Sequence, residues 1–114
     1  MLSFAVIVFA IAAVGGLILA LHVLRGRFAP WYLSILHALL GAVGLILVLL
    51  AVVGDEGSSL ILGALLTLVV AALGGFFLAS FHARKTLPPK PIVILHAFLA
   101  IVGFGLLVTG VFAP

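Results

Sequence analysis

Four apolar runs, each about as long as a bilayer is thick, take up most of this 114-residue chain and leave it few ways to fold. They are residues 2–24, 31–53, 60–81 and 92–112. An α-helix rises about 1.5 Å per residue and the hydrocarbon core is about 30 Å thick, so roughly 20 apolar residues make one span. Lipid offers the backbone no hydrogen bonds, and a helix satisfies its own. Connections as short as GDEGSS (54–59) can join only antiparallel neighbours. The sequence therefore predicts an all-α integral membrane protein, a four-transmembrane-helix up-down bundle in one membrane domain over residues 1–114. Composition agrees, because 68% hydrophobic residues, 6% charged residues and a mean hydropathy of +1.66 lie far from the soluble range. The first run lacks a preceding basic region and is longer than a signal-peptide core, so it reads as a helix rather than a cleaved leader.

Charge placement sets the expected orientation. Arg25 and Arg27 lie in the first connection, Arg84, Lys85 and Lys90 in the third, and both acids, Asp55 and Glu56, in the second. The positive-inside rule puts the first and third connections in the cytoplasm and both termini outside, in an inner membrane of bacterial type. Trp31 and Tyr32 open the second run at the level of an interfacial aromatic belt. The net charge of +3 thus reflects topology, and five basic residues at helix ends do not make a nucleic-acid surface. With no cysteine, thiolate iron–sulfur ligation and covalent c-type haem attachment are excluded.

The chain also reads as a duplication. A shift of 59 residues lays AAVGG (12–16) on AALGG (71–75), Arg25 on Arg84, Pro30 on Pro89, ILHA (35–38) on ILHA (94–97) and Gly44 on Gly103. Repeat 1 covers about residues 1–54 and repeat 2 about 60–113. Each repeat is a two-helix hairpin, an even number of spans, so both copies point the same way and a pseudo-two-fold axis along the membrane normal is expected. Helices 2 and 4 then lie diagonally opposite, and His37 and His96 face each other at equal depth. His22 aligns with Phe81 and His82 with Val23, one residue out of step, or about 100° of helical rotation. All four histidines fall in the half of the bilayer nearest the basic loops.

Ionisable side chains inside a span are costly and usually functional, so the histidines are the candidate site. Seven residues are close to two turns, which puts His37 and Gly44 on one face about 10 Å apart, and His96 and Gly103 likewise. Gly41 and Ala100, four residues after each histidine, share that face. A histidine followed by a strip of small residues suits a flat apolar cofactor standing between helices, with imidazoles holding its iron axially. Close helix packing is the competing account of the glycines.

In its four-helix plan and in His37, Gly44, His96 and Gly103, the chain resembles the b-type membrane cytochromes, whose bundled helices hold haem between paired histidines. The resemblance implies haem b, with one group held by His37 and His96 and with His22 and His82 as a second pair if two are bound. Arg25 and Arg84 are then the candidate partners of haem propionates. The resemblance also implies electron transfer, with quinone or a redox partner protein as the other party, or haem handling, in a monomer or a homo-oligomer. The best-known cytochrome b pattern has two histidines on one helix for haems on both sides of the membrane. This chain has one per helix, all on one side.

Two other readings stand beside this one. Imidazole also suits zinc, copper and nickel, so the histidines could line a transition-metal binding or transport site, although no intramembrane carboxylate accompanies them. The chain could instead be a non-catalytic accessory subunit whose histidines bond between helices, a contribution of only about 1 kcal/mol each. Hydrolytic catalysis is not expected, since no nucleophile–base–acid set can be assembled from Ser34, Ser80, Thr67 and Thr109 with both acids on the opposite side from the histidines.

Overall fold

The structure is a computed structural model that describes residues 1–113; Pro114, the C-terminal residue that the charge rule puts outside the cytoplasm, lies outside the described residues. Four helices follow one another: α1 (Leu2–Leu24), α2 (Trp31–Val53), α3 (Ser59–Ala83) and α4 (Lys90–Phe112). Each is long and apolar enough to cross a membrane.

Three boundaries differ from the hydrophobic runs, and the two helix starts among them follow from chemistry at the helix N-terminus. The Ser58 side chain accepts from the Ile61 N–H at 3.4 Å, so α3 starts at Ser59. The same helix continues to Ala83, which brings His82 into its last turn. Helix α4 begins at Lys90 rather than 92, because Pro91 falls in the first turn, where a missing N–H costs nothing. Helices α1, α2 and α3 end alike. The N–H groups of Arg27, Glu56 and Thr86 reach back to the carbonyls of His22, Ala51 and Phe81, across Gly26, Asp55 and Lys85 in left-handed conformation.

Neighbours in sequence are neighbours in space, and α4 closes the ring against α1; among the described residues the backbones of the diagonal pairs α1–α3 and α2–α4 stay more than 8 Å apart, Cα to Cα. The bundle measures 43 × 23 × 19 Å. Packing is closer within the hairpins α1–α2 and α3–α4 than between them.

The core is lopsided along the bundle. Its buried cluster is Ala5, Phe9, Val48, Ile61, Ala64, Leu65, Leu68 and Leu107, all in the half that holds the acidic connection. Among the described residues, the buried hydrophobic ones toward the basic connections are Ala29 and Val93, with Ala12 and Ala71 near the middle. One half therefore holds the helices together. The other half, where all four histidines lie, buries few side chains fully.

Candidate functional site

His37 on α2 and His96 on α4 come together across the centre of the bundle, with ring centroids 6.3 Å apart and planes at 82°. Each ring is tied to the other helix of its own hairpin. His37 Nδ1 donates to the carbonyl of Ala12 at 2.8 Å, and His96 Nδ1 donates to that of Ala71 at 2.7 Å, each across 25 residues of chain. A carbonyl can only accept, so in both rings Nδ1 carries the proton and a neutral imidazole presents its Nε2 lone pair. A backbone carbonyl on the far nitrogen is the usual way a protein orients a histidine ligand.

The glycine pairs explain how the rings fit. A Cβ added at Gly16 would stand 2.8 Å from His37 Cε1, and one added at Gly75 would stand 3.1 Å from His96 Cε1. Each imidazole thus rests on bare helix backbone, one turn beyond the carbonyl that it bonds. Gly15 and Gly74 are less critical, because their added Cβ atoms would make ordinary contacts with the histidine Cβ atoms at 4.0 and 3.9 Å. In AAVGG and AALGG the first alanine supplies the acceptor and the last glycine supplies the seat. The repeat of these motifs is visible in the sequence, but their service to histidines 25 residues away is not.

Gly16→Ala should therefore push the His37 ring off its seat and break or lengthen its bond to Ala12. The imidazole 15N shift of His37, read by NMR, should move toward that of an unbonded ring. Gly41→Ala, where an added Cβ meets nothing within 4 Å, should leave it unchanged. Equal spectra from both variants would show that the seat is not tight.

The other candidate residues are placed differently. A Cβ on Gly44 would stand 2.7 Å from the Phe9 ring, and one on Gly103 would stand 2.7 Å from Leu68 Cγ. These two glycines receive a side chain from the partner helix of the same hairpin and do not face an open slot; close packing accounts for both. Gly41 and Ala100 are partly exposed. His22 Nδ1 donates to the carbonyl of Ile18 in its own helix at 2.8 Å. His82 lies flat on Trp31, centroids 3.9 Å apart, so the structure does not pair it with His22. Arg25 is exposed, while Arg84 folds back on α3, donating to the Ser80 carbonyl at 3.2 Å and standing 4.8 Å over the Phe81 ring. The Thr67, Ser80 and Thr109 hydroxyls donate to carbonyls of their own helices.

Among the described residues, no three histidine, aspartate or glutamate side chains gather where they could share a metal ion. A metal at this site would have two protein ligands, and their spacing is informative. Two imidazoles bound at about 2.0–2.1 Å stand roughly 6.4 Å apart, centroid to centroid, on opposite sides of a metal, but roughly 5.2 Å apart at a tetrahedral angle. The observed centroid separation, 6.3 Å, is close to the first of these lengths.

Compared with protein-family models, curated proteins and solved structures, the chain matches none.

Proposed function

We propose that this chain is a membrane b-type cytochrome in which His37 and His96 hold a haem iron axially, serving electron transfer or haem handling. One observation carries the reading: two imidazoles from diagonal helices, each with Nδ1 engaged by a backbone carbonyl, stand 6.3 Å apart, close to the spacing of opposed ligands. Haem supplies one-electron exchange at its iron. The chain's own residues do the rest. Ala12 and Ala71 fix the tautomer, and Gly16 and Gly75 let the rings sit close to backbone.

A flat group needs width between the hairpins. That width would have to come from separating the hairpins at this thinly packed end, and the Nδ1 bonds, which lie inside each hairpin, would travel with it. Arg25 and Arg84, at the ends of α1 and α3, are suited to propionates, Arg84 by exchanging its bond to Ser80. The duplication accounts for the matched Ala–His–Gly sets, as a two-fold arrangement of hairpins would produce. With the site toward the basic connections, a quinone or a redox partner protein would exchange electrons from that side.

The visible spectrum of the purified protein, before and after dithionite, tests this. Six-coordinate low-spin bands of b type are expected. A colourless protein, or one whose bands belong to a five-coordinate haem, contradicts it.

A second reading has its own support. Phe9 and Leu68 fill the spaces opposite Gly44 and Gly103, and a bare ion held linearly between two imidazoles, as monovalent copper can be, needs no slot at all. Stoichiometric copper in a colourless protein would select it over haem.

The basic connections are proposed to face the cytoplasm and both termini the other side. A reporter active only outside the cytoplasm should work when fused to the C-terminus; activity of a cytoplasm-only reporter there reverses the orientation.

A further inference from the structure

At the basic end, where the chain enters α2 and α3 finishes, Phe28, Trp31, His82 and Lys85 line one open concavity. The His82 ring lies almost parallel to the Trp31 indole, at 3.9 Å and 6°, and Phe28 stacks at 5.7 Å. The ring's face is engaged while its edge is not. The other three histidines each bind a carbonyl through Nδ1, but among the described residues neither nitrogen of His82 makes a hydrogen bond.

Lys85 adds a second donor to the same wall, in a conformation that disfavours it. Its φ is +57°, in the left-handed region, which costs a non-glycine residue roughly 1–2 kcal/mol. Gly26, 59 residues earlier, ends α1 at φ +75° without that cost. A cation therefore stands where backbone geometry favours glycine. It has no carboxylate nearby, because Asp55 and Glu56 lie in the α2–α3 connection at the other end of the bundle.

The same shift of 59 residues relates Phe28 to Leu87, Trp31 to Lys90, His82 to Val23 and Lys85 to Gly26. All four members of the cluster differ from their mates, although the motifs around His37 and His96 are repeated. The concavity thus belongs to the α2–α3 side alone, and it is independent of the central histidine pair.

We propose that this concavity binds the phosphate group of an anionic phospholipid. The Lys85 ammonium and an imidazole N–H of His82 donate to phosphate oxygens, and Trp31 and Phe28 pack on the glycerol and upper acyl chain. The lipid source follows from position: the concavity opens at the end of span-length helices, walled by aromatic carbon, where a headgroup meets hydrocarbon. A free anion would gain nothing from those walls.

Trp31 is the one tryptophan in the chain, so its fluorescence reports on this place alone. The intact protein in neutral detergent should be titrated with phosphatidylglycerol brominated on the acyl chain. Saturable quenching is expected, with half-saturation shifted at least five-fold by Lys85→Gln and by His82→Phe, which keeps the stack but removes the N–H. Lys90→Gln, the same loss of charge at the mate of Trp31, should not shift it. Unsaturable quenching, an equal response to brominated phosphatidylcholine, or equal weakening by Lys85→Gln and Lys90→Gln would each overturn the site. Release of the lipid by inorganic phosphate at matched concentration would overturn the lipid as its occupant.

Discussion

Replacing either His37 or His96 with alanine is expected to abolish the six-coordinate low-spin spectrum of the haem-bound protein, whereas His22→Ala and His82→Ala should leave it in place. In the proposed site each substitution removes one of the two ligands, and among the described residues no third histidine or carboxylate gathers with them to take its place. His22 is bound to its own helix and His82 is stacked on Trp31, so their loss changes surroundings rather than ligation. Gly16→Val and Gly75→Val give an intermediate case. They displace a ring without deleting it, and haem retention should weaken by about 10–100-fold, the usual scale for losing the support behind a ligand. Reduced and oxidised spectra of the six variants decide the matter. A spectrum that survives at His37→Ala and His96→Ala but is lost at His22→Ala or His82→Ala would show that the central pair is not the axial pair. Loss at all four histidines would mean two haems, each held by its own pair.

Gly103→Ala should destabilise the bundle by about 1–3 kcal/mol whether or not any cofactor is bound. The new methyl would lie 2.7 Å from Leu68 Cγ, 2.9 Å from its Cδ2 and 3.3 Å from its backbone nitrogen. Cγ is close to the main chain and the nitrogen belongs to α3, so the clash cannot be relieved by swinging a side-chain tip. Gly44→Ala should cost less, because its methyl meets the outer edge of the Phe9 ring, which can tilt. At Gly105, where an added Cβ finds nothing within 4 Å, alanine should be neutral or slightly stabilising through helix propensity. Unfolding in a denaturing detergent gives the order, and Leu68→Ala supplies the check. In the doubly substituted protein the two losses should add to less than their sum, since the smaller side chain makes room for the methyl. Full additivity, or a Gly103→Ala protein as stable as Gly105→Ala, would mean that this close approach does not hold α3 and α4 together.

The same glycines mark how far sequence reasoning reaches. Four unbroken apolar runs with short connections leave only an up-down helical bundle, and helix ends within two residues of the runs follow from hydrophobicity and capping chemistry alone. His37 and His96 are legible as a pair because identical motifs recur around them. Gly44 and Gly103 look, on a helical wheel, like the floor of a cofactor slot, yet Phe9 and Leu68 stand over them. One-dimensional spacing identifies the face on which a small residue lies but not what fills the space in front of it. That depends on the rotation of the neighbouring helix, which nearly uniform apolar surfaces do not encode.

Ala12, Ala71, Gly16 and Gly75 show the converse. Nothing about an alanine in an apolar run announces that its carbonyl will accept from an imidazole on the next helix, because the interaction uses backbone and the partners are 25 residues apart. His82 is likewise undefined by pattern: the one-residue offset from His22 signals asymmetry, and only the meeting of α2 and α3 turns it into a stack on Trp31. The sequence by itself determined the number of helices, their antiparallel order, the placement of charge at their ends and the pairing of the two central histidines, since all of these follow from hydrophobic length and repetition along the chain. The tertiary structure decided which glycines seat a ring and which receive a side chain, that the packed core fills only the acidic half, and that the outer histidines stand apart. Those depend on how each helix turns about its own axis, and that rotation is set by side-chain contacts between neighbouring helices.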